Sequence, residues 1–207
     1  QAIPMTWDYP EANPFSGVTG GAEGQLEWLT RYIERECVGL PSHCLMGSAT
    51  EIALDSNSIT VVITDPPYYD AIAYADLSDF FYVWLKRSLG SIFPEVFRTP
   101  LTPKSEETTS LKHRHESGGD AKIHFETSLC QAFREARRLV KEDGVVSIMF
   151  AHQSTEAWSA FVKAILDADL NITASWPVDT EGVKAGLKDG KSMLASSVTV
   201  ICRKRQK

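Results

Sequence analysis

The run Ile59-Thr60-Val61-Val62-Ile63-Thr64 leads directly into Asp65-Pro66-Pro67-Tyr68-Tyr69-Asp70, and this junction constrains the fold more than any other part of the chain. Six residues rich in β-branched side chains read as a buried strand. The strand cannot continue past Asp65. Both prolines have a fixed φ and no N–H, and Pro67 also pushes Pro66 toward an extended conformation. A strand must therefore end in a rigid corner with an acid in front, aromatics behind, and main-chain carbonyls aimed by covalent constraint.

The rest of the chain alternates around this strand. Pro4, Pro10, Pro14, Gly17, Gly20 and Gly21 predict an irregular N-terminal arm over residues 1–21. Leu26, Leu29 and Ile33 recur at helical spacing before the stop Gly39-Leu40-Pro41. Beyond the corner, Leu77, Phe80, Phe81 and Trp84 mark one face of a helix from about Ala71 to Arg87, expected to pack against the sheet. Residues 91–120 lose all periodicity and read as a mobile or target-contacting insertion. Phe125, Leu129, Phe133, Ala136 and Val140 predict another helix, ended by Lys141-Glu142-Asp143-Gly144 ahead of a strand Val145–Phe150. Trp158, Phe161, Val162 and Ile165 mark a further helix with Ser154 as its N-cap. Strands at Asn171–Trp176 and Ser197–Cys202 flank a loop carrying Gly182, Gly186 and Gly190. Helices alternating with buried strands specify an α/β domain with a largely parallel sheet and an antiparallel pair at its edge. Residues 1–207 are read as one such domain.

Composition narrows the function classes. A formal charge of −6 argues against this chain alone gripping a phosphate backbone, since that affinity comes from clustered Lys and Arg. The clusters Lys112-His113-Arg114-His115 and Arg203-Lys204-Arg205-Gln206-Lys207 read first as solvated surface. Cys37, Cys44, Cys130 and Cys202 contain no C-x-x-C pair and predict reduced packing thiols, so no metal is expected. With no apolar stretch of membrane-spanning length and no signal-like start in Gln1–Pro10, a cytoplasmic location is expected.

The corner suits one chemistry. An aromatic or amide NH₂ is a poor nucleophile because its lone pair is delocalised. A carboxylate at Asp65 and the carbonyl of Pro66 can accept both N–H bonds, turn the nitrogen toward tetrahedral geometry and stabilise the positive charge that builds during alkylation. Tyr68 offers a flat wall for a ring, and Tyr69 and Asp70 can close the pocket, although Tyr69 can equally point into the core. If the ring is a base in a duplex it must be flipped out, at a cost of a few kcal/mol, which stacking worth about 1–3 kcal/mol helps to offset. In open sheets ligands sit outside the carboxyl ends of strands, where this corner falls.

The elements Pro4-Met5-Thr6-Trp7-Asp8-Tyr9, Asn13-Pro14-Phe15-Ser16, Asp65–Asp70, Leu77-Ser78-Asp79-Phe80-Phe81-Tyr82-Val83-Trp84-Leu85-Lys86-Arg87 and Ala195-Ser196-Ser197 resemble the adenine-specific DNA methylases whose full-length members also carry a zinc-ribbon. The resemblance implies a Rossmann-like, S-adenosylmethionine-dependent methyltransferase sheet, methyl transfer to the N6 of adenine in DNA, and a restriction-modification or phage-defence setting. It also implies Asp65, Pro66, Pro67 and Tyr68 as the catalytic motif, with Tyr69 and Asp70 beside the substrate. Gly47-Ser48-Ala49 is similar to a G-D-A turn near the cofactor adenine, with Ser48 where the acid usually stands. The glycine-rich loop that takes the methionine end of the cofactor is not found. The chain is therefore expected to be the C-terminal portion of a longer protein, with an incomplete sheet whose exposed edge invites self-association.

Two further readings share the corner. The same motif serves RNA bases and protein glutamine, and a non-catalytic module binding nucleic acid or another subunit can retain it as a relic.

Overall fold

The computed structural model describes residues 15, 17, 21–178 and 197–206. The elements Pro4–Tyr9, Ala195-Ser196 and the loop with Gly182, Gly186 and Gly190 lie outside the described residues, as does most of the predicted arm. The chain divides into two compact units, Gln1–Leu45 and Met46–Lys207.

The first unit contains helix α1, Ala22–Glu36, which carries the predicted Leu26, Leu29 and Ile33 stripe but buries none of its residues. It ends at Cys37, whose N–H bonds back to the Ile33 carbonyl, ahead of the Gly39-Leu40-Pro41 stop.

The second unit is a mixed α/β layer. In chain order it contains β1 (Ile59–Thr64), α2 (Tyr74–Leu89), a 3₁₀ turn at Lys112–Arg114, α3 (Gly118–Leu139), β2 (Val140–Phe150), α4 (Thr155–Asp167), β3 (Leu170–Val178) and β4 (Ser197–Lys204). The spatial order is β1-β2-β4-β3. β1 and β2 are parallel, while β4 runs antiparallel to both its neighbours. β3 is thus an edge strand in antiparallel pairing, and the reversed strand itself lies inside the sheet.

One face of the sheet is fully covered. Val146, Ile148 and Phe150 alternate toward it along β2 and are buried beneath Phe125, Leu129 and Phe133 of α3 and Ala157, Phe161 and Ile165 of α4. Phe150 and Phe161 stack with ring centroids 4.4 Å apart and planes 3° off parallel, and Phe133 meets Phe161 edge-on at 6.0 Å. The other face is open. Val61, Ile63 and Trp176 leave 49%, 80% and 55% of their surface exposed, although parallel strands are ordinarily apolar on both faces because both are covered.

Three boundaries differ from expectation, each for a local reason. α3 begins at Gly118 because Ser117 caps it, accepting from the Asp120 N–H at 3.2 Å and donating to the Asp120 carboxylate at 2.7 Å. Lys141–Gly144 does not end a helix: β2 starts at Val140, pairing with Ile59, and bulges before Val145 pairs with Val61. Gly144 makes that bulge possible, since a Cβ there would lie 2.7 Å from the Thr60 carbonyl oxygen and 2.5 Å from the Val140 side chain. The third difference is α2. Its Leu77, Phe80, Phe81 and Trp84, expected against the sheet, are 45–64% exposed. The inward stripe is instead Ala75, Asp79 and Tyr82, turned toward residues 97–107: the Tyr82 hydroxyl donates to the Thr99 carbonyl at 2.9 Å, and Asp79 accepts from Lys104 at 2.7 Å and from the Thr102 N–H at 2.9 Å. Lys104 first, then Thr102, hold the Asp79 carboxyl down at about 2.

The segment before β1 is tied to α3 by one ion pair. Glu135 accepts from Arg138 at 2.7 Å and from the Ile52 N–H at 2.8 Å, while Arg138 donates to the Ile52 and Leu54 carbonyls, both at 2.9 Å. Arg138, and after it the Ile52 N–H, lower the Glu135 carboxyl from 4.5 to about 2. A carboxyl depressed by folding stabilises the native state fully above the unfolded value and loses that contribution as pH falls through the folded one. Glu135→Gln is therefore expected to destabilise at neutral pH, with the gap from the parent closing between about pH 4.5 and 2. Urea unfolding at stepped pH checks this, and a gap that stayed constant across that window would contradict it.

Candidate active site

The corner after β1 has a defined shape. Pro66 is buried, Tyr68 is half-buried, and Asp65 is exposed at the strand's carboxyl end. The Tyr69 N–H bonds to the Pro67 carbonyl at 3.1 Å and the Ala71 N–H to the Tyr68 carbonyl at 2.9 Å, which wraps the chain tightly around Tyr68 and Tyr69. Tyr69 takes the turn with φ = 52°, a left-handed conformation rare for a bulky residue.

Burial on the inner side holds that conformation. The Tyr69 side chain is turned into the core, where its ring meets Phe125 edge-on at 5.0 Å and His152 at 5.7 Å. Its carbonyl accepts from the Ser110 N–H at 2.9 Å. Tyr69 is 7% exposed and anchors the corner from behind, the core-facing alternative of its two readings. Tyr68 stays half-buried, with its ring edge-on to Phe150 at 5.9 Å. Phe150 ends β2, the parallel neighbour of β1, so the corner spans the carboxyl ends of both strands.

Two neighbours were not foreseen from sequence. His152, just past β2, bonds to the Asp70 carboxylate at 3.1 Å. Nothing in its surroundings signals this, because partners so far apart in sequence meet only through the parallel pairing of β1 and β2. Tyr74, the first residue of α2, has its hydroxyl pKa raised by burial, then by the negative charges of Asp65 and Glu107.

The segment 91–120 is joined to this region at several points. Besides the Ser110 bond, Glu107 accepts from the Ala75 N–H at 3.0 Å and pairs with Arg114, which also reaches Asp76 at 2.7 Å. Thr109 and Ser110 are themselves buried.

Gly47, Ser48 and Ala49 form an exposed turn, with the Ser48 hydroxyl 2.7 Å from that of Thr50 and accepting from the Thr50 N–H at 3.2 Å. The turn leads into the Ile52–Leu54 stretch held by Glu135 and Arg138.

Lys112, His113, Arg203 and Arg205 of the basic clusters are exposed, while some members are tied into the fold. Arg114 is 13% exposed in its ion pairs, Arg203 donates to the Asp143 carbonyl at 2.7 Å, and Lys204 bonds Glu142 at 2.9 Å. Cys130 and Cys202 are buried, and burial pushes the Cys202 thiol up to about 11. Among the described residues no cluster of His, Cys, Asp and Glu fits a metal, and no helix is long and apolar enough to cross a membrane.

No family model matches the chain, and no curated protein matches it. Among solved structures, a candidate DNA modification methylase from Thermus thermophilus, complexed with S-adenosyl-L-methionine, is similar at 14% identity over 78% of this chain and 54% of its own, with a TM-score of 0.43. The PvuII cytosine-N4-specific DNA methyltransferase is similar at 12% identity over 76% of this chain and 46% of its own, with a TM-score of 0.44. The chain spans about half the length of the structures it matches.

Proposed function

We propose that the protein is an S-adenosylmethionine-dependent amino-methyltransferase acting on DNA, with the N6 of adenine as acceptor, in a cytoplasmic restriction-modification or phage-defence setting. The observation that supports this best is the Asp65-Pro66-Pro67-Tyr68 corner itself, at the carboxyl ends of a parallel strand pair, with Asp65 exposed and Tyr69 holding the turn from behind.

Asp65 is exposed and acidic, so its carboxylate can accept one N–H of an incoming amine, and the Pro66 carbonyl can accept the other. Holding both N–H groups directs the lone pair outward. Tyr68 then fixes the ring plane by stacking, and alignment of this kind contributes on the order of 7–11 kcal/mol to such reactions.

S-adenosylmethionine supplies an electrophilic methyl group. The described residues fit the acceptor side of that exchange. On the cofactor side they offer the Gly47-Ser48-Ala49 turn for the adenine, but no glycine-rich turn after a strand for the methionine end.

The test is incubation of the protein with methyl-labelled S-adenosylmethionine and, in parallel, duplex DNA, RNA of the same sequence and glutamine peptides. Label recovered as N6-methyladenine from DNA is the expected result. Label in cytosine, RNA or peptide would reassign the acceptor, and no label from folded protein that binds S-adenosylmethionine would favour the binding-module reading.

A further inference from the structure

We propose that His152 is a positioning residue that holds the Asp65–Asp70 corner in register with α4, acting through Asp70; this rests on the corner being the acceptor site. The His152 ring lies between two partners of opposite demand. Its Nδ1 is 3.0 Å from the Ser154 N–H, a group that can only donate, so Nδ1 must accept. In the neutral ring that leaves the proton on Nε2, which faces the Asp70 carboxylate at 3.1 Å. The tautomer is thus set by the backbone of the α4 N-cap, and the N–H it produces points at the corner.

Each end of this link is itself fixed. Ser154 caps α4 by accepting from the Ala157 N–H at 3.2 Å, and the Trp158 indole N–H donates to the His152 carbonyl at 2.9 Å. The His152 side chain is only 11% exposed, and its ring also meets Tyr69, the residue with left-handed backbone. Asp70 directly follows that residue. A hydrogen bond here restrains the corner at Asp70, one residue beyond the Ser110 bond to the Tyr69 carbonyl. Without it, the turn around Tyr68 loses one of its two restraints, and the aim of Asp65 and Pro66 loosens.

Two amide replacements separate this role from simple capping. Glutamine places a terminal N–H where the imidazole has Nε2 and keeps the bond to Asp70; asparagine reaches only the Nδ1 position and keeps the contact to Ser154. His152→Asn is expected to lower kcat for methyl transfer on the order of 10–100-fold with little change in KM for the cofactor, while His152→Gln retains most of the activity. Amide exchange at Ser110 should follow the same order, about tenfold faster in His152→Asn and near the parent rate in His152→Gln. If Asn serves as well as Gln in the exchange measurement, His152 is a cap for α4 and the proposal is overturned. Exchange that follows the expected order in a protein that transfers no methyl group would leave the positioning role standing and sink the functional reading instead.

Discussion

Asp65→Ala is expected to lower methyl transfer by about 10²–10³-fold, the range seen when one preorganised partner of a developing charge is removed. The side chain is exposed at the end of β1, so its loss opens no cavity and leaves the Pro66 and Tyr68 geometry in place. Thermal unfolding of the variant should therefore match the parent while the rate collapses. Asp65→Asn sharpens the result: the amide keeps one acceptor oxygen for the incoming N–H but loses the negative charge, so its rate should fall between those of the parent and the alanine variant. A large residual rate in Asp65→Ala would show that the corner is not the acceptor site.

Phe161→Ala is expected to cost about 3–5 kcal/mol of stability, a large share of the roughly 5–15 kcal/mol that holds a domain folded. Phe161 is completely buried, stacks on Phe150 at 4.4 Å and takes the edges of Phe133 and Trp158. Its ring therefore joins α3, α4 and β2 at one point, and backbone adjustment cannot refill the space because neighbours on three elements would have to move together. Urea denaturation checks the figure, and the midpoint should fall without a change in slope unless the denatured state also changes. A cost below about 1 kcal/mol would mean that the core collapses around the gap far more freely than close packing permits.

The shape of the corner was legible in sequence because covalent constraint is local. Two adjacent prolines after a β-branched run dictate a strand end wherever they occur, and Ser154 caps α4 where a serine ahead of an apolar periodic run would be placed. Contacts were less legible. The spacing of Leu77, Phe80, Phe81 and Trp84 does specify a helix, but periodicity says which residues share a face and not what that face meets; in α2 the inward stripe is Ala75, Asp79 and Tyr82, two of them polar. The extent of α3 was missed because Gly118-Gly119 resembles a loop, and only the Ser117–Asp120 cap shows that a helix begins there. His152 was invisible for a third reason: its function depends on a strand pairing that brings it to Asp70, and no local pattern encodes that meeting.

The placement of β4 has a consequence for how the molecule comes together. β2 and β3 share no hydrogen-bonded edge; each pairs with β4, which follows both in the chain. During synthesis β1 and β2 can pair as soon as α3 has emerged, whereas β3 must wait, its backbone groups unsatisfied, for a strand not yet made. The latest of the four strands is the keystone of the sheet. Assembly of its second half is thereby postponed until β4 has been made, and a chain interrupted before Ser197 loses two strands from the sheet although only one is missing from the sequence.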